Sequence, residues 1–123
     1  MKLSKSEEKL MEVIWKNEKV FMNEILDAYE EPKPATTTIL TLLKRMQEKG
    51  FVKYQTFGNS RQYYAVVDKS DYFSKQIKGV IKNYFDNSPA QFASFFTKAT
   101  TLTTEELKEL RDLIDNQIQN LEK

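Results

Sequence analysis

The chain has 123 residues, no cysteine and no histidine, and sets 19 Lys and Arg against 18 Asp and Glu for a formal net charge of +1. Those two absences exclude disulfides, thiol nucleophiles, Cys/His zinc sites and imidazole acid–base or triad chemistry, so an enzyme is disfavoured and neither metal nor cofactor is expected. With 40% hydrophobic and 30% charged residues, the composition is that of a soluble, helix-rich protein of one domain or two small ones.

The stretch from Met1 to Leu10 mixes charged and apolar residues with no signal-peptide core. No apolar run approaches the roughly 20 residues of a membrane span, so a cytoplasmic protein without membrane insertion is expected. Ser4 with Glu7 three residues later forms a capping-box pattern. It opens a first helix ending near Asn17, with Leu10, Val13, Ile14 and, on its flank, Trp15 as its apolar face. A short connector, Lys19 to Phe21, leads to a second helix from about Met22 to Glu30, with Ile25, Leu26 and Tyr29 on one side. Pro32 and Pro34 stop it, because proline lacks a donor and biases the preceding residue away from helix. A third helix spans about Thr36 to Lys49, and Gly50 stands where a left-handed C-cap is wanted.

After Gly50 the apolar period falls from about 3.6 to 2. Phe51 to Phe57 and Arg61 to Val67 flank the turn cluster Gly58-Asn59-Ser60, which predicts a β-hairpin. Three helices and a hairpin in this order suggest a winged helix-turn-helix. From Ser70 the helical period returns through Phe73, Ile77, Val80, Ile81, Tyr84 and Phe85, and Asp86-Asn87-Ser88-Pro89 breaks it. Phe92, Phe95, Phe96 and Ala99 mark a short helix. Thr103 and Glu106 form another capping box, opening a last helix with a near-heptad stripe of Leu107, Leu110, Ile114, Ile118 and Leu121. The expected fold is therefore mainly α with a small β-hairpin: a winged helix over 1–69 followed by a three-helix dimerisation region over 70–123.

On a helical wheel, Ile39, Leu42, Leu43 and Met46 of the third helix fall on one arc. The opposite arc carries Thr37, Thr41, Lys44 and Glu48, with Thr38 and Arg45 on one shoulder and Leu40 on the other. A polar helix face is most often merely solvated. Threonine, however, is a poor helix former at an exposed position, which suggests that something besides helix stability favours it here. Short hydroxyl side chains near a helix N-terminus suit base edges, and Lys or Arg behind them suits phosphate or guanine. Charge is distributed accordingly. Met1 to Pro32 carries five basic and eight acidic residues, Lys33 to Lys69 seven basic and two acidic, and Ser70 to Lys123 seven basic and eight acidic. The third helix and the hairpin form the basic part of a nearly neutral chain, as expected of a surface for double-stranded DNA. Lys33, Thr37, Thr38, Thr41, Lys44, Arg45 and Arg61 are the candidate DNA contacts, Arg61 from the hairpin tip.

Leu3-Ser4-Lys5-Ser6-Glu7, Val13-Ile14-Trp15, Thr38 to Met46, Glu48-Lys49-Gly50-Phe51-Val52, Tyr63-Tyr64 and Leu102 to Leu107 together resemble the penicillinase-repressor family of bacterial transcription regulators, the BlaI/MecI type. The resemblance covers essentially the whole chain. It implies a homodimeric repressor bound to inverted-repeat operators, relieved when a membrane-bound sensor metalloprotease signals cleavage in the C-terminal region. Known members of the family control β-lactamase or resistance genes, though relatives regulate other systems. Thr37, Thr38 and Thr41, with Lys44 and Arg45 behind them, occupy the recognition positions. Leu40 departs from members that place an arginine there. The cleavage position falls at Phe95-Phe96, where cleaved members present Asn before Phe. A copper-responsive branch depends on C-terminal cysteines, which this chain lacks.

A segment of this length from Ser70 onward buries little apolar surface by itself. Phe73, Phe85, Phe92, Phe95, Phe96, Leu107, Leu110, Ile114, Ile118 and Leu121 are therefore expected at a homodimer interface. A rival reading keeps the winged helix but makes it a protein-interaction adaptor that never touches DNA. Glu105, Glu106, Glu109 and Asp112 suit a solvated helix face rather than a catalytic pair.

Overall fold

The computed structural model describes residues 2–123; Met1, where the expected N-terminal domain starts, lies outside them. The elements follow in the order α1 (Lys5–Asn17), β1 (Lys19–Phe21), α2 (Met22–Asp27), α3 (Thr36–Glu48), β2 (Val52–Phe57), β3 (Ser60–Ala65), α4 (Lys69–Tyr84), α5 (Pro89–Ala99) and α6 (Thr104–Leu121). They divide into two compact units, one up to Ser74 and one over Lys75–Lys123.

The first unit holds the buried core. Leu10, Met11 and Ile14 of α1, Ile25 of α2, Ile39, Leu43 and Met46 of α3, and Val20, Val52 and Tyr63 of the sheet belong to one apolar cluster. The α1 capping box forms as its sequence predicts: the Glu7 N–H donates to Ser4 Oγ (3.2 Å) and the Ser4 N–H to Glu7 Oε1 (2.7 Å). Glu7 does more than cap, because it is only 1% exposed and the same Oε1 accepts from Lys49 Nζ at 2.7 Å. Its Oε2 is buried without a hydrogen-bond partner among the described residues. Burial alone would raise the carboxyl pKa. The hydrogen bonds from Lys49 and Ser4, together with the Lys49 charge, outweigh burial and hold it below the ordinary glutamate value.

Lys49 is also the C-cap of α3. Gly50, at φ +82°, donates its N–H to Gln47 O (3.0 Å), and the Phe51 N–H reaches Met46 O (2.9 Å). This pair of bonds is a Schellman motif, and it turns the chain directly into β2. β2 and β3 pair antiparallel from Val52↔Ala65 to Phe57↔Ser60, leaving Gly58-Asn59 as a two-residue turn. Gly58 has φ +59° at the first central position, which a II′ turn reserves for glycine.

The expected hairpin is one part of a three-stranded sheet of order β1-β3-β2. Lys19–Phe21, expected to be a connector, pairs with Tyr64, Tyr63 and Gln62. Three residues with a single buried position, Val20, are too few to display a period of two. α2 also ends earlier than its periodicity suggests. Lys33 folds back, and its Nζ donates to the carbonyls of Leu26 (2.9 Å), Asp27 (3.4 Å) and Tyr29 (2.7 Å), satisfying acceptors at the helix end.

The first turn of α4 belongs to this unit, so the division falls within α4 rather than before Ser70. Tyr72 is buried; its Oη accepts from the Leu3 N–H (3.2 Å) and donates to Glu8 Oε2 (2.9 Å). Its ring lies 5.6 Å from Phe51 and 5.9 Å from Trp15, whose Nε1–H donates to Val67 O at 2.9 Å.

In the second unit, Asp86 and Asn87 adopt positive φ (52° and 58°) and end α4, and Ser88 caps α5 by accepting from the Gln91 N–H (3.1 Å), with Pro89 at its start. α6 opens on the Thr103–Glu106 capping box (2.9 and 3.1 Å), whose bonds lower the Glu106 pKa. Phe85 packs against Phe92 and Phe95 at ring separations of 5.5 and 5.3 Å. No residue of this unit is buried.

A depressed pKa means that the Glu7 carboxylate stabilises the fold above the unfolded-state pKa, and that this contribution disappears as the pH falls through the lower folded-state value. Glu7→Gln keeps an acceptor for the cap but removes the charge. It is expected to cost about 1–2 kcal/mol at pH 7 in urea titrations. The difference from the parent protein should shrink towards zero as the pH drops below the carboxylate range.

Candidate nucleic-acid interface

The rotation of α3 about its axis is set by its buried side. Ile39, Leu43 and Met46 are sealed in the core and Leu42 is half-buried, which turns Thr36, Thr37, Thr38, Leu40, Thr41, Lys44 and Arg45 outward. Thr41 Oγ1 donates to the Thr37 carbonyl at 2.9 Å. Its hydroxyl proton is thereby engaged, leaving the oxygen lone pairs and the methyl group for anything that docks on this face.

The start of α3 is electrostatically open. Its N-cap is Ala35, which makes no side-chain cap, and its first turn holds no acidic residue. The positive end of the helix dipole and the leading N–H groups therefore face outward uncompensated by side chains. Further along, Lys44 and Arg45 form no ion pair among the described residues, whereas Lys49 and Lys69 are paired with Glu7 and Glu12.

The hairpin stands beside this helix. Thr36 and Leu40 share an open cleft with Asn59, Ser60 and Arg61 of the hairpin and with Phe21 and Met22 at the start of α2. The Arg61 guanidinium lies 4.3 Å over the ring of Tyr54, its diagonal neighbour across the β2–β3 register. A guanidinium stacked on an aromatic face keeps its in-plane donors pointing outward. Tyr54 was not among the sequence candidates, since its meeting with Arg61 depends on a two-residue turn and the sequence pattern placed Ser60 within the turn.

Thr37, Thr41 and Lys44 thus share the central outward face, Thr38 and Arg45 one shoulder, and Leu40 with Arg61 the hairpin side. Lys33 stands apart, its ammonium spent on the end of α2. Of the aromatic and aliphatic residues expected at an interface between copies, Phe73 packs within the first unit, 5.1 Å from Tyr72 and 5.9 Å from Trp15. Phe85, just beyond α4, clusters with Phe92, Phe95 and Phe96 of α5, and Leu107, Ile114, Ile118 and Leu121 lie exposed along α6 with Leu110 half-buried. Leu113, 59% exposed, is an apolar position of α6 outside the expected stripe. Among the described residues, no cluster of acidic side chains could hold a metal ion, and no helix is long and apolar enough to cross a membrane.

A helix-turn-helix core whose last helix runs into a two-stranded hairpin, closed by a short third strand, is a winged helix. A solved structure of like fold is the solution structure of the DNA-binding domain of the repressor BlaI, at TM-score 0.51 and 30% identity over 58% of this chain and 88% of that one. The penicillinase repressor family matches residues 3–116, and the chain belongs to that family. Relatives include the methicillin resistance regulatory protein MecI of Staphylococcus aureus (strain N315), 27% identical over 92% of this chain and 93% of its own. The penicillinase repressor of Bacillus licheniformis is 25% identical over 92% and 89%.

Because Lys44, Arg45 and Arg61 have no ion pair among the described residues, replacing any one of them by alanine is expected to change the unfolding free energy by less than about 1 kcal/mol. Thermal and urea unfolding of the three variants would check this. A larger drop in stability would mean that the side chain is structural.

Proposed function

We propose that the chain is a homodimeric transcriptional repressor that binds an inverted-repeat DNA operator through α3 and the hairpin. The observation that carries the reading is the outward face of α3, where threonines surround an uncapped helix start and Lys44 and Arg45, unpaired among the described residues, follow, with Arg61 alongside. Thr37, Thr38 and Thr41 read base edges in the major groove, Lys44 and Arg45 neutralise phosphate or reach guanine, and Arg61 contacts the backbone or the minor groove. Lys33, whose ammonium is held at the end of α2, adds only long-range positive charge. The names of the relatives, a penicillinase repressor and a methicillin resistance regulator, favour resistance-type target genes. The function needs no catalytic group and no cofactor.

The second unit supports the dimer. It has no buried residue, yet it carries an aromatic cluster and an exposed aliphatic stripe on α6. A separately folded region of this size needs apolar burial from elsewhere. About 1,000 Å² of apolar burial gives roughly 25 kcal/mol gross, ample against the several kcal/mol cost of association. A two-fold dimer places two copies of α3 about one or two helical turns apart on the duplex.

Relief of repression follows from a cut near Phe95-Phe96, made in response to a membrane-bound sensor metalloprotease. Phe95 is 57% exposed, and α5, a short helix with no buried residue, unwinds at little cost for a protease that needs extended backbone. Removing the following α6 would take the aliphatic stripe out of the dimer.

With DNA as partner, Lys44→Ala or Arg45→Ala should weaken binding and lower the slope of log K against log salt by about one for each phosphate no longer neutralised. Thr41→Ala should mainly relax sequence choice. Fluorescence anisotropy on selected duplexes over a salt series reads both, and a protein-interaction adaptor would show neither. In sedimentation equilibrium the chain should run at twice its 14.5 kDa. Ile114→Asp with Ile118→Asp should give monomers whose first unit stays folded and which bind a full operator at least tenfold more weakly.

A further inference from the structure

Resting on the DNA-binding reading above, we propose that Leu40 is a specificity-determining residue that packs against the C5-methyl group of a thymine in each operator half-site. Leu40 is the one position on the outward side of α3 that carries a large apolar side chain. It is 43% exposed, whereas Ile39 beside it and Leu43 one turn on are buried. Burial in the core does not fully account for it, since it stays 43% exposed while lining an open cleft with Phe21, Met22 and Leu26. Its place on the helix does: it stands one turn after Thr36, next to Thr41, on the hairpin side of the face, sharing the cleft with Asn59 and Arg61.

The chemistry around it selects the ligand group. Thr36, Thr37 and Thr41 each present a methyl, and Thr41's hydroxyl proton is already given to the Thr37 carbonyl. On the hairpin side of α3 Leu40 thus offers methyl groups alone, with the short side chains of Thr36 and Thr41 adjoining it. The major-groove edges of adenine, guanine and cytosine offer donors and acceptors, and thymine alone adds an exposed methyl. An isobutyl group pressed against the polar edge of another base would strip water from that edge without supplying a hydrogen bond, so Leu40 acts by rejection as well as by attraction. Lys44, one turn further on and unpaired among the described residues, sets the depth at which the helix seats, because its charge is drawn to phosphate while Leu40 meets the base edge.

The test uses the full chain and duplexes enriched from a random-sequence library. Each thymine of the enriched site is replaced in turn by deoxyuridine, which removes only the methyl, and affinity is measured for the parent protein and for Leu40→Ala. Since Leu40 lies outside the buried core, the variant is expected to melt within a few degrees of the parent, which thermal melting verifies. The expected result is one thymine per half-site at which deoxyuridine weakens parent binding about fourfold, the worth of one buried methyl-sized group. Leu40→Ala should bind the two duplexes equally. Uniform insensitivity to deoxyuridine, or the same sensitivity in parent and variant, overturns the role of Leu40 and leaves DNA binding standing. Failure to enrich any duplex overturns both.

Discussion

The rotational setting of α3 is the constraint on which the rest depends. Ile39, Leu43 and Met46 can all be buried in only one orientation of the helix, and that orientation carries every threonine, Lys44 and Arg45 outward. These contacts run along most of the helix, and its C-terminal end is held as well. Lys49, at the far end, is drawn to the buried Glu7 carboxylate at 2.7 Å, and the Schellman turn through Gly50 passes directly into the sheet. One glutamate therefore starts α1, anchors the end of α3 and fixes where the hairpin leaves the core. The cost of burying its charge is met by the Lys49 and Ser4 hydrogen bonds.

Charge is sorted by the same geometry. Cations that belong to the fold are paired or engaged: Lys49 with Glu7, Lys69 with Glu12, and Lys33 with the end of α2. Lys44 and Arg45 remain available on the outward face. A net charge of +1 thus conceals a basic surface set against acidic flanks. In the second unit the segregation is apolar: its helices are well capped at Ser88 and Thr103, yet none of its residues is fully buried within its own chain. With the proposed dimer, the first unit is complete in one copy of the chain and the second becomes complete in two.

Much of this was legible in the sequence because the signals are local. The capping boxes at Ser4 and Thr103, the glycine after α3, the Asp86 to Pro89 break and the α3 apolar arc each lie within a few residues of what they specify. What escaped is long-range. The strand at Lys19–Phe21 exists through its pairing with β3, some 40 residues away, and its three residues carry no period of their own. Glu7 looked like a cap because nothing near it announces Lys49. Lys33 looked like a free cation because its fold back onto α2 follows from the path through Pro32 and Pro34. Arg61 was visible, but Tyr54 beneath it was not, since the register that joins them depends on the length of the turn. Tyr72 likewise read as part of a second domain until its contacts with Leu3, Glu8 and Phe51 placed it in the first unit. Family membership then narrows the meaning of the α3 face, which by itself would be hard to distinguish from a well-solvated helix.

Hydroxyl-radical footprinting of a selected duplex bound by the full chain tests the central claim most directly, because it shows at once which surface is met and with what symmetry. Operator binding by a two-fold dimer predicts two matching patches of backbone protection, related by a two-fold axis and centred about one or two helical turns apart, both abolished when Lys44 and Arg45 are replaced by alanine. A single unpaired patch, or protection that survives those replacements, would contradict it.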